Sequence, residues 1–192
     1  MVTVGTDEAG VESALIAGDI ACLGCGEALR PWGYGRRRTI RMRSGGVLRT
    51  PRRSRCKPCK KTHVLLPCDL FSRRKDGAEV IGAALSLSAK GTSGQEIADT
   101  LERPYETVRG WNRRVRDRAE EIRVHFTRWA VTVDATVDIA PTDSAFGDAI
   151  AAIGAAGRAA VLRRIADHPW HFASSTTSGL LLCNTNAPWR VS

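Results

Sequence analysis

No run of apolar residues in this 192-residue chain approaches the roughly 20 needed to cross a bilayer, and Gly179 to Cys183 falls far short. No secretory signal precedes the first cysteine, so a soluble cytoplasmic protein with reduced thiols is expected, and no membrane partner. Basic residues are missing from residues 1 to 21, which hold Asp7, Glu8, Glu12 and Asp19. Acidic residues are nearly missing from residues 22 to 75, where 2 stand against 16 basic ones, a net of +14. Residues 76 to 128 balance and residues 129 to 192 carry a net of −1, so the formal +9 of the chain is concentrated in one segment. A field of that sign and density attracts polyanions, chiefly nucleic acid phosphates, with binding that weakens steeply as salt rises; a merely solvated basic face is the alternative. With 43% hydrophobic residues over this length, a large enzyme core is not expected, and small modules are.

Cysteine is present in a regular arrangement. Cys22-Leu-Gly-Cys25 and Cys56-Lys-Pro-Cys59 are two Cys-x-x-Cys pairs flanking an arginine-rich stretch. Each pair suits a knuckle whose thiolates take adjacent corners of a zinc tetrahedron, and the two together make a closed structural site for one zinc ion. Gly26 and Lys60, each following a second cysteine, suit the tight turn of a knuckle. Redox pairs or disulfides are the competing readings, but neither pair sits in a thioredoxin-like strand-helix pattern. His63 and Cys68 lack knuckle spacing, so His63 is read as a strand residue, and Cys68 and Cys183 as buried or idle thiols. Pro31 to Met42 and Gly46 to Arg55, joined by Ser44-Gly45-Gly46, read as a hairpin, and Thr62 to Leu66 as a third strand ended by Pro67. The expectation is a three-stranded zinc ribbon over residues 22 to 68, after a flexible arm at 1 to 21 and before a basic connector at 69 to 76.

The periodicity then changes. Val80, Ile81, Ala84, Leu85 and Ser88 recur at helical spacing and predict a helix over about 77 to 90, with Gly91 ending it. Ser93 and Glu96 stand as in a capping box ahead of Ile97, Ala98 and Leu101, predicting a helix over about 94 to 101. Pro104 opens a long third helix with Val108, Trp111, Val115, Ala119, Ile122 and Phe126 on one stripe. The second and third helices resemble a helix-turn-helix of homeodomain-like type, in a domain spanning 77 to 128. With Gly94 as the first motif position, Ala98 is the fifth, Val108 the fifteenth and Trp111 the eighteenth, as that family requires, whereas Glu102 stands at the ninth, where many members carry glycine. An ordinary three-helix bundle is the alternative. Residues 129 to 192 read as a helical region of unknown role, with a helix from Thr142 or Asp143 through Arg164, a break at Asp167-His168-Pro169, a last helix over Pro169 to Leu182 and a polar tail. The fold class is therefore α+β.

On a helix-turn-helix reading the third helix presents Tyr105, Arg109, Asn112, Arg113 and Arg116 to a major groove, and Arg109 and Arg113 are the best candidates to read guanine. A solvated helix laced by pairs such as Arg113 with Asp117 and Arg116 with Glu120 is the alternative. Phosphate contacts fall to Arg36, Arg37, Arg38, Arg41, Arg43, Arg49, Arg52, Arg53 and Arg55 in the hairpin and to Arg73, Arg74 and Lys75 in the connector. Trp32 and Tyr34 lie among these charges, either as packing beside the metal or as platforms for bases. Asp134, Asp138, Asp143 and Asp148 crowd into too short a stretch for a two-metal nuclease site and read as turn and cap residues.

The order of parts, Arg30-Pro-Trp-Gly between the cysteine pairs, Thr62-His-Val-Leu-Leu-Pro, Glu79-Val-Ile-Gly-Ala-Ala and Arg103-Pro-Tyr-Glu-Thr-Val-Arg-Gly-Trp, is similar to a group of uncharacterised actinobacterial proteins. It also resembles the DNA-binding front end of certain insertion-sequence transposases, over residues 22 to 128. The resemblance implies zinc at Cys22, Cys25, Cys56 and Cys59, DNA contact by the third helix and a mobile-element context. It does not imply transposition, since too little chain follows residue 128 for the catalytic domain. The sequence therefore leads to the expectation of a non-enzymatic, zinc-dependent, sequence-specific binder of double-stranded DNA in the nucleoid. It would act as a transcriptional regulator or a mobile-element accessory or remnant, as a homodimer or with a mobile-element protein. RNA or single-strand binding through the ribbon, or a protein-interaction module, are the other classes.

Overall fold

A computed structural model of the chain describes residues 1–183, and the polar tail expected at the C-terminus lies outside the described residues. The chain is α+β. It runs through β1 (Val2–Val4), α1 (Glu8–Ala17), β2 (Leu29–Tyr34), β3 (Arg38–Met42), β4 (Gly45–Arg49), β5 (Arg52–Cys56) and β6 (Thr62–Pro67). Then come α2 (Ala78–Ala89), α3 (Gly94–Thr100), α4 (Tyr105–Arg116), α5 (Ala119–Val133), α6 (Ala145–Leu162) and α7 (Pro169–Thr176).

The first 21 residues are not a loose arm. Val2, Thr3 and Val4 pair in parallel with Leu65, Leu66 and Pro67, adding an edge strand to the sheet. Asp7 caps α1 by accepting from the N–H groups of Ala9 and Gly10, and Leu15 is buried against Leu29 and Leu65. The acidic side chains that argued for an arm instead pair across to the basic strands: Arg52 grips Glu12 with two bonds of 2.6 Å, and Arg49 reaches Glu8 at 2.7 Å. An acidic segment is excluded from a core only when it has no cations to meet.

The expected hairpin is split in two. Leu29, Arg30 and Pro31 of β2 pair with Cys56, Arg55 and Ser54 of β5, but the register shifts before Tyr34 meets Arg52. Beyond this irregularity β3 and β4 form a separate two-stranded ladder from Arg38↔Arg49 to Met42↔Gly45. Pro31 and Pro51 flank the junction, and neither can donate to a ladder, so pairing is interrupted there. The cysteine-bearing sheet therefore has four strands in the order β1-β6-β5-β2 rather than three.

The segment expected as a basic connector is packed, with Phe71, Asp69 and Asp76 all buried. The backbone of this segment docks on β3, where Arg41 N–H donates to the Lys75 carbonyl (2.7 Å) and Gly77 N–H to the Arg41 carbonyl (3.1 Å). Asp76, 3% exposed, accepts from Arg41 on one oxygen and Arg103 on the other, both at 2.7 Å. A buried carboxylate costs several kcal/mol unless it is paired and hydrogen-bonded, and here two guanidiniums supply that, one from each half of the molecule.

The helices share one core from Phe71 to Leu182, so a domain boundary at residue 128 falls inside α5 and divides nothing. Val108, Trp111, Val115, Ala119, Ile122 and Phe126 are buried as the periodicity predicts. The helix carrying them, however, breaks after α4. Arg118 leaves helical geometry (φ −138°, ψ 26°) and bonds the Cys183 carbonyl. Apolar spacing reports which residues face inward, and a bend that keeps the same stripe inward leaves it unchanged. α5 and α6 lie start beside start and end beside end: Arg116 stacks on Phe146 at 5.0 Å and Asp134 meets Arg163 at 3.8 Å. α6 is capped by Ser144, whose hydroxyl accepts from Gly147 N–H, rather than by Thr142 or Asp143. Asp134 and Asp148 do act as turn residues, accepting from Thr136 and Thr142. The last helix stops at Thr176, short of the expected Leu182.

Among the described residues one helix, α6, is long and apolar enough by length and composition to cross a membrane, although glycines, Asp148 and Arg158 interrupt its apolar run. Its mean hydropathy is 1.4, and 61% of it is buried within the protein. Its small residues serve close packing. A Cβ on Gly157 would lie 2.6 Å from the backbone Cα of Pro169, so α7 starts directly on that glycine.

Because Asp76 holds two guanidiniums, Asp76→Ala should lower unfolding free energy by about 3 kcal/mol, the low end of the cost of breaking a buried pair, as read by urea denaturation. A loss below about 1 kcal/mol would show that this carboxylate does not join the two halves.

Candidate metal centre and basic surface

The four cysteines come together from two similar loops. Cys22 N–H donates to the Glu27 carbonyl (2.8 Å) and Cys56 N–H to the Lys61 carbonyl (2.9 Å), so each loop closes with the same five-residue reach. Gly26 (φ +77°) and Lys60 (φ +61°) both take the left-handed conformation that turns the chain after the second cysteine. The four sulfurs lie within 4.8 Å of one another, with Cys22 to Cys59 at 3.7 Å and Cys25 to Cys56 at 3.4 Å. All four are free thiols. Metal–thiolate bonds of about 2.3 Å put the corners of a tetrahedron about 3.8 Å apart, so the spacing fits a metal ion with little movement, whereas disulfide bonds of about 2.05 Å require every pair to close.

The Cys22 thiol is drawn down to about 6, first by the Gly24 N–H that points at its sulfur and also by neighbouring donors including His63. At Cys56 the Cys59 N–H pulls down, but burial and the adjacent thiols push the group up to about 12. Successive deprotonation of four adjacent thiols is opposed by mutual repulsion, and a divalent cation at their centre removes that opposition. The site is thus of the kind that holds a structural metal ion.

His63 is part of these surroundings, which its spacing did not reveal. It lies in β6 as expected, but it is buried and its Nε2 is 3.3 Å from Cys22 Sγ, while Nδ1 is 3.5 Å from the amino group of Met1. Strand alternation could have found it, because His63 shares its face with Leu65, which packs against Leu29 and Cys56. Cys68 stays apart as an idle thiol, pushed up to about 11 by burial and then by Asp69.

The arginines expected to grip phosphate divide into two sets. Arg41, Arg49, Arg52 and Arg74 are internal ties: to Asp76, to Glu8 and Asp69, to Glu12, and to the Leu182 carbonyl. Their side chains meet acceptors supplied by segments distant in sequence, which composition cannot show. Arg36, Arg37, Arg43, Arg73 and Lys75 are exposed, and Arg38, Arg53 and Arg55 are partly so. Trp32 and Tyr34 are not packing beside the cysteines. They are 48% and 61% exposed, and Arg55 and Arg52 lie over their rings at 4.5 Å.

On α4, Tyr105, Arg109, Arg113 and Arg116 are exposed, but Asn112 is not available as a base reader. It is buried, and its amide donates to Ser88 Oγ at 2.7 Å, which fixes α4 on α2. Arg109 is 3.3 Å from Glu106, an exposed pair worth little and easily exchanged for another anion. Ser93 caps α3 through Glu96 N–H, and between α3 and α4 the chain turns at Glu102 with φ +52°. The β3–β4 hairpin lies beside this turn, and a groove of about 410 Å³ between them is lined by Arg41, Arg43, Thr100, Glu102 and Arg103.

No protein-family model, no curated protein and no solved structure matches this chain.

Cys56→Ser removes a fully buried member of the cluster and should abolish metal binding by the thiolates, read as loss of thiolate-to-cobalt charge-transfer absorption, together with loss of β-sheet circular dichroism. Cys68→Ser should leave metal content unchanged, so equal losses in both variants would argue against a site confined to the four cysteines.

Proposed function

We propose that this protein binds double-stranded DNA sequence-specifically, without catalysis of its own, on a fold stabilised by one zinc ion. Zinc suits four thiolates in a closed tetrahedral site better than the hard cations that prefer oxygen. It would act in the nucleoid as a transcriptional regulator or an accessory or remnant protein of a mobile element. The observation that carries the reading is the exposed basic face of α4, with Tyr105, Arg109, Arg113 and Arg116, set against α3 through a tight turn. The left-handed Glu102 supports a helix-turn-helix geometry, because it occupies the position where that motif commonly carries glycine for the same backbone conformation.

In this reading the two halves divide the work. The helical segment from 76 to 128 is electrically neutral overall, so it supplies sequence choice through α4. The sheet and its following segment carry the excess positive charge, and Arg36, Arg37 and Arg43 remain exposed there to meet phosphates. The tie through Asp76 holds the hairpin and the α3–α4 turn in register, so both address one duplex.

A second reading has its own support. Trp32 and Tyr34 are exposed on the basic strand β2, and aromatic faces among arginines suit stacking of unpaired bases. Selection from pools of random duplexes and random single strands at near-physiological salt separates the two. Duplex binding with an enriched motif is expected, whereas tighter single-strand binding without a motif overturns the main proposal.

Arg109→Ala and Arg113→Ala should each cost about 1–3 kcal/mol on the selected sequence and relax its motif, while Arg43→Ala should weaken all duplexes alike and lower the salt slope by about 1, measured by fluorescence anisotropy over a salt series. Glu102→Gly should raise stability by up to about 1 kcal/mol and leave DNA affinity unchanged, since the glycine relieves the left-handed strain without altering the turn.

A further inference from the structure

Among the described residues, one other group of side chains is placed to hold a metal ion: Glu79 in the first turn of α2, and His168 and His171 at the start of α7. Their ligand atoms lie within 4.8 Å of one another, and the two imidazoles are 5.2 Å apart between centroids. His171 is 9% exposed, yet neither of its ring nitrogens makes a hydrogen bond. Its Nε2 is 3.1 Å from Glu79 Oε1, close enough for ion pairing but not aligned as a hydrogen bond, and Nδ1 makes no hydrogen bond. A buried imidazole left in that condition costs free energy that a ligand for its lone pair would recover.

We propose that Glu79, His168 and His171 form a second divalent-metal site, of the zinc class, separate from the four cysteines. Two imidazoles and one carboxylate are borderline ligands that suit zinc and its first-row neighbours, and they exclude the calcium and magnesium that oxygen-only cages hold. Bonds of about 2.0–2.1 Å place tetrahedral ligands about 3.4 Å apart; Glu79 Oε1 and His171 Nε2 are already 3.1 Å apart, and no pair in the group exceeds 4.8 Å. The Glu79 side chain is 37% exposed. The same exposure leaves the fourth position to water.

His168 has a second task. Its Nδ1 accepts from Trp170 N–H at 3.2 Å and caps α7. In the neutral ring that nitrogen bears the lone pair, so coordination exchanges the cap for the ion and gives one helix-start N–H to water. α2 and α7 already pack tightly, with the Trp170 ring where a Cβ on Gly82 would be. Binding of the ion therefore pins the start of α7 to α2 and makes the stability of the helical half depend on metal.

Cobalt(II) titrated into the metal-free full-length chain tests this, with zinc content by elemental analysis as a second measure. The wild type should take up two ions per chain, one with thiolate-to-cobalt charge-transfer absorption and one without it. Glu79→Gln removes the carboxylate charge, and His168→Asn removes the imidazole while keeping a residue that caps helices well. Each variant should retain the thiolate absorption and bind the second ion at least roughly tenfold more weakly, since even losing an outer partner of a metal ligand costs that much. A single ion per wild-type chain overturns the proposal, whatever the variants do, and so does retention of two tightly held ions in both variants.

Discussion

A carboxylate almost removed from solvent holds this molecule together. Asp76 accepts from Arg41 of the β3–β4 hairpin and from Arg103 of the α3–α4 turn, and the backbone on either side of it pairs with Arg41. Buried apolar residues form one large cluster among the helices and two small ones, Leu15, Leu29 and Leu65 with Cys22 and Cys56, and Ile40 with Leu66 and Leu70. Ser174 Oγ donating to the Leu70 carbonyl at 2.6 Å and Leu66 lying against Gly179 also join the halves, and Asp76 adds a buried polar joint to them. Such a joint is directional: a buried charge tolerates only the geometry that satisfies it, so it specifies orientation where a greasy contact would permit sliding.

This constraint gives the basic surface its organisation. The arginines of the strands do two different jobs. Those that face Glu8, Glu12, Asp69 or Asp76 bind the sheet to α1 and to the helices, and those at the loop and hairpin ends remain exposed. The net charge of the segment therefore overstates what is free to meet a polyanion, because the acids that neutralise its internal members come from elsewhere in the chain. Of those that remain exposed, Arg43 lines the groove beside the turn that precedes α4.

Much of the site was legible in order and spacing. The two Cys-x-x-Cys loops close alike and bring four sulfurs together, because a short knuckle is a local structure whose turn residues, Gly26 and Lys60, are written beside it. The stripe from Val108 to Phe126 is buried, because helical periodicity is also local. Other features were not legible, and each involves a partner distant in sequence. Asn112 was read as outward-facing, but Ser88 takes its amide. Arg52 was read as a phosphate ligand, but Glu12 takes its guanidinium. His63 was set aside for its spacing, yet strand pairing carries it to Cys22. The acidic start was read as an arm, although its first strand completes the sheet edge.

The sequence by itself determined the cysteine loops, the capped start of α3 and the buried stripe from Val108 to Phe126, since these follow from backbone preference and from spacing along a few turns. Only the tertiary structure decided which charges stay free, where the long helix breaks and which histidines come together. Those outcomes depend on burial, and burial is a property of surfaces that meet after the chain has folded. Glu79, His168 and His171 make the point most directly: more than eighty residues separate the first from the other two, and packing of α7 on α2 makes them neighbours.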